Sequence, residues 1–90
     1  MSTKTYSDVT QAVWDCMKAS SIKDRNTAYD PPDANQGTAT TDTAVGTVVL
    51  EFSFDPAAAT VEYTIKSKPI LVLESEVWNG IQNSVASCSQ

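Results

Sequence analysis

The chain has no histidine, only three glycines, only six lysines and arginines, and no long apolar run. Each shortage removes a class of function. Histidine is the commonest general acid or base near neutral pH and the commonest metal ligand, so its absence leaves catalysis and metal binding without their usual group. Three glycines are too few for a phosphate-cradling loop. The basic residues are scattered, and a net charge of -5 opposes the phosphate neutralisation that nucleic-acid binding needs. No segment approaches the roughly 18–20 apolar residues of a membrane span, and the first residues lack the apolar run of a secretory leader. The reading is a cytoplasmic protein with no nucleic-acid or membrane partner.

What is present describes one small globular domain. Ninety residues, 41% apolar and 19% charged, can build a single core spanning 1–90 and no second one. From Tyr6 to about Ser20 the apolar positions Tyr6, Val9, Ala12, Val13, Cys16 and Met17 recur at helical spacing, with Trp14 at the border of that face. Thr5 or Ser7 can cap this helix, and Asn26 or the Tyr29–Pro32 stretch must end it. Asp30 to Ala44 carries two prolines, a glycine and a run of Thr and Ala with almost no apolar payload. It reads as a long, mobile loop at about 30–45.

Period-two alternation follows. Val48, Leu50, Phe52 and Phe54 share one face of a strand over Thr47–Asp55, and Val61, Tyr63 and Ile65 share one face over Thr60–Lys66. Asp55–Ala59 between them suits a turn, so the two should pair as an antiparallel hairpin with one dry face. The apolar run Ile70–Leu73 suggests a short third strand or a lead-in to the next helix. From about Ser75 the helical period returns, with Val77, Trp78, Ile81, Val85 and Cys88 on one face and Gly80 inside it. The expected fold class is α+β: an N-terminal helix, a long loop, an antiparallel meander of two to three strands and a C-terminal helix, with both helices packed on one sheet face.

The candidate site residues are few. Cys16 and Cys88 each close the apolar face of a helix. With strands running up, down and up, the two helices would be parallel and the cysteines would share one end of the domain. The favoured state is two reduced, buried thiols, and the alternative is a disulfide. A redox or metal motif is excluded by their spacing. Asp33–Gly37 has a faint look of a calcium loop, but the glycine comes one position early and the twelfth position from Asp33 is Ala44. Glu51 and Glu62 fall on the wet faces of adjacent strands, where Lys66 can balance them. Ser20 and Lys23 have the spacing of a serine–lysine pair only by composition.

Trp14 and Trp78 sit at the borders of their apolar faces. They read as core shields or as anchors for a partner. The functional expectation is a non-enzymatic, acidic protein-interaction module that uses no cofactor, binding a protein partner or self-associating. The alternative is a small-molecule binding protein with an apolar pocket between helices and sheet.

Overall fold

The alternating stretches around Phe52 and Tyr63 lie at the centre of a sheet wider than the sequence suggests. The computed structural model describes residues 2–89. In chain order it contains β1 (Thr3–Tyr6), α1 (Gln11–Arg25), β2 (Ala28–Asp30), β3 (Gln36–Thr43), β4 (Gly46–Asp55), β5 (Thr60–Ser67) and α2 (Glu74–Cys88). The class is α+β, as expected, but the sheet has five strands in the order β1-β5-β4-β3-β2, every neighbouring pair antiparallel. The expected two- to three-stranded meander was an undercount.

Besides the short β2, which pairs with β3 from Ala28↔Thr40 to Asp30↔Thr38, two stretches account for the difference. The first is the expected loop at about 30–45, most of which is β3, paired with β4 from Gln36↔Ser53 to Thr43↔Gly46. Its inward positions are Gly37, Ala39, Thr41 and Thr43, opposite Phe52, Leu50, Val48 and Gly46. Alternation is present, but no bulky side chain marks it. Gly37 is demanded by close approach, since a Cβ there would lie 2.3 Å from the Asp30 carbonyl oxygen. The second is Thr3–Tyr6, which is an edge strand on β5 and not the start of the helix. Asp8 turns the chain in a left-handed conformation (φ 61°), and the Val9 N–H donates to the Ala59 carbonyl at 2.9 Å.

The helix begins only at Gln11. The hydroxyl of Thr10 accepts a hydrogen bond from the Val13 N–H at 3.3 Å, satisfying one of the free donors of the first turn. Asn26, left-handed at φ 54°, ends it. α1 therefore crosses one sheet face from the β1 edge to the β2 edge. With β2 and β3 added and no strand at 70–73, four strands (β2 to β5) separate the helices in the chain instead of three. This reverses their relative direction. Cys16, early in α1, meets Cys88 at the end of α2, and Arg25, at the end of α1, meets Gly80 in mid-α2, so the helices are antiparallel and not parallel.

The core is densest beneath the first half of α1. Trp14 stacks on Phe54 (5.2 Å between centroids, 15° between planes) and contacts Phe52, Tyr29 and Tyr63 at 5.3–6.4 Å. Tyr6 meets Tyr63 edge-on, and Val9 and Val61 complete the cluster with no exposure. Such aromatic pairs add about 0.5–1.5 kcal/mol each beyond the area they bury.

The run at Ile70–Leu73 is not a third strand. It is a turn between β5 and α2 in which Ile70, Leu71 and Leu73 are exposed. Pro69, pressed against Gly46, starts the turn, and the Leu73 N–H then meets the Glu76 carboxylate at 3.4 Å where α2 begins. Among the described residues no helix is long and apolar enough to cross a membrane.

Candidate functional site

Away from the aromatic cluster, the space between the two helices and the sheet is not filled. A cavity of about 200 Å³ opens there to solvent. Its floor comes from the sheet: Ala39 and Thr41 of β3, Val48 and Leu50 of β4, and Tyr63 of β5. Met17 and Ser21 of α1 form one wall, and Val77, Ile81 and Ser84 of α2 form the other. The gap follows from residue size, because the inward side of β3 carries only Gly, Ala and Thr at the positions facing it.

The polar groups on this lining are mostly engaged with each other. The Ser21 hydroxyl lies 2.5 Å from the Tyr29 hydroxyl and donates to the Lys18 carbonyl at 3.0 Å. The hydroxyls of Thr27 and Thr41 pair at 2.6 Å. The Ser84 hydroxyl donates to the Gly80 carbonyl at 3.2 Å. These pairs leave the wall chemically quiet, so the interior is apolar in effect even where its residues are not.

Burial raises the pKa of all three tyrosines in this region. Tyr63 is pushed up by desolvation, with the phenols of Tyr29 and Tyr6 adding to the rise. Tyr29 is raised by burial, while its Ser21 hydrogen bond and the Arg25 charge pull it partly back. Tyr6 is raised by burial alone.

Two charged side chains stand on the lining, Arg25 and Glu76. Glu76 accepts from the Leu73 N–H at the start of α2. Among the described residues Arg25 makes no ion pair within 4.0 Å, and the one ion pair is Lys66 to Glu51 at 3.6 Å, half exposed on the open sheet face. That pair contributes about 0–1 kcal/mol. Arg25 lies instead across α2 at Gly80, where a Cβ would be 3.0 Å from its Nη1. The glycine in mid-helix, unfavourable by about 1 kcal/mol relative to alanine, makes room for this guanidinium.

The candidate residues from the sequence fall elsewhere. Trp14 is 1% exposed and belongs to the core, so it offers no surface to a partner. Its helix face is set by a start at Gln11, and the sheet's aromatic side chains close over it. Its Nε1–H is buried without a hydrogen-bond partner, at a cost of about 1–3 kcal/mol. Trp78 is half-buried against the same core, and its carbonyl accepts from the Tyr6 hydroxyl at 3.2 Å.

Cys16 and Cys88 are not free, buried thiols. They form a disulfide with Cα atoms 5.8 Å apart, and Cys16 is exposed on the outer side of the helix pair. The meeting of these two residues, 72 positions apart, was expected from the sequence, but it arises between antiparallel helices and not parallel ones. Glu51 and Glu62 do not face one another: Glu51 is opposite Thr64 and Glu62 opposite Ser53. Among the described residues no three His, Cys, Asp or Glu side chains cluster as a metal site.

The cavity lining was missed as a set. Two signals pointed to it, the small residues alternating through Gly37, Ala39, Thr41 and Thr43, and the glycine inside an amphipathic helix. No family model, no curated protein and no solved structure matches the chain.

Proposed function

We propose that this protein binds a small, largely apolar molecule in the cavity between its two helices and its sheet. One observation carries the reading: an open cavity of about 200 Å³ persists in a ninety-residue domain whose other half is tightly filled with aromatic rings. An engineered apolar cavity of roughly 150 Å³ accommodates benzene, so the space fits a ring with a short substituent. In this reading the protein binds and does not catalyse.

The test is a titration followed by thermal unfolding. A ligand that occupies only the folded state raises the apparent Tm in a saturable way. Small aromatic probes should do so with wild type and fail with Ala39→Leu, whose added side chain enters the cavity. Absence of any saturable shift across ring-sized probes would defeat the reading.

The exposed segment Ile70, Leu71 and Leu73 favours a second reading, the protein-interaction module. Apolar side chains exposed together beside a cavity are the usual material of a contact surface. With Trp14 in the core, this turn and not the tryptophan pair is where a partner would be sought. The Cys16–Cys88 bond supports work in an oxidising compartment over the cytoplasm, because cytosolic thiols are held reduced.

A further inference from the structure

We infer that the ligand is a monoanion, an apolar body of about the size of a benzene ring carrying one carboxylate, and that Arg25 receives the carboxylate. The inference rests on the cavity reading above and concerns only the chemistry of the ligand's head.

Arg25 is the one cation on the lining among the described residues. It closes α1, at the end of the helix whose Met17 and Ser21 line the wall. No carboxylate comes within 4.0 Å of it among the described residues, although the chain carries eleven acidic side chains to six basic ones. Lys66 is the one basic side chain in an ion pair among the described residues, so what distinguishes Arg25 is its place on the lining and not its freedom from a carboxylate. Its position is also built, since Gly80 removes the side chain that would push the guanidinium away from α2.

The other groups on the lining limit the choice of ligand. The hydroxyls of Ser21, Tyr29, Thr27 and Thr41 already pair with one another and gain little from a polar ligand body. Glu76, the one anion on the lining, repels a second negative charge. A phosphate monoester or dicarboxylate is thereby disfavoured, and a planar monocarboxylate matches the forked donors of a guanidinium.

Three probes with nearly the same body separate the possibilities: phenylacetate, 2-phenylethanol and phenethylamine, each titrated calorimetrically at low salt. Phenylacetate should bind about tenfold more tightly than 2-phenylethanol, as a charge-assisted hydrogen bond provides, and phenethylamine should bind most weakly. Arg25→Gln should abolish the preference for the acid, bringing phenylacetate and 2-phenylethanol to within about twofold of each other. Arg25 is exposed, so this variant should fold, and circular dichroism checks it. Equal binding of acid and alcohol, or an acid preference that survives Arg25→Gln, would overturn the assignment of the head and leave the cavity reading standing. Failure of all three probes to bind would overturn both.

Discussion

The two halves of the core are built to opposite specifications. Under the first half of α1, Trp14, Phe52, Phe54, Tyr63 and Tyr6 fill the space between helix and sheet ring against ring. Toward Arg25 and Val77 the same layers enclose Ala39, Thr41, Ser21 and Ser84, and a cavity remains. A domain of this size has little apolar surface to spare. Concentrating its bulk at one end lets that end hold the fold while the other stays hollow.

The comparison predicts unequal responses to mutation. Trp14→Ala should cost about 3–5 kcal/mol, about half of a total stability of roughly 5–10. Urea unfolding reads this directly, and a loss under about 1 kcal/mol would mean the aromatic end does not hold the fold. Next comes the covalent tie. A loop closed over 72 positions is worth about 4 kcal/mol on the chain-entropy model. The paired Cys16→Ala, Cys88→Ala variant should lose about 2–4 kcal/mol, and the native protein should show no thiol reactive to a maleimide under non-reducing conditions.

A third test uses alkaline pH. The phenol pKa values of Tyr63, Tyr29 and Tyr6 are raised in the fold, so the unfolded chain loses those protons first as pH rises. The stabilisation is full below about pH 10, the unfolded value, and declines above it, by up to about 1.4 kcal/mol per pH unit for each phenol still protonated in the fold. Urea midpoints should therefore be flat between pH 8 and 9 and fall between 10 and 11. The smallest effect belongs to the hollow end. Ala39→Leu should leave stability within about 1 kcal/mol of wild type or raise it, because the new side chain enters existing space. A loss of 3 kcal/mol or more, on the order expected of severe overpacking, would mean that the cavity is smaller than described.

What could be read in the sequence follows the same division. The β4–β5 pair was legible because Phe52, Phe54, Val61 and Tyr63 are large and alternate. The two helices were legible as elements, though α1 begins at Gln11 and not near Tyr6. β3 was not legible, and the reason is physical: a strand that floors a cavity presents Gly37, Ala39 and Thr41 inward, and small side chains carry no hydrophobic period. The illegible strand and the candidate site share one cause. The run at Ile70–Leu73 misled in the opposite sense, since its apolar side chains mark a surface and not a strand. The disulfide was open to sequence only as one alternative, because free and bonded cysteines leave the same helical pattern and the expected reducing cytoplasm favoured the thiols.

The central claim is that the hollow end is a binding site, and mapping where a probe lands tests it most directly. Two-dimensional amide spectra recorded during a phenylacetate titration should show saturable shifts at Ala39, Leu50, Val77 and Ile81, while Val9 and Val61 at the filled end stay fixed. Ala39→Leu should abolish those shifts. Saturation without localisation to these residues, or no response at all, would contradict the account.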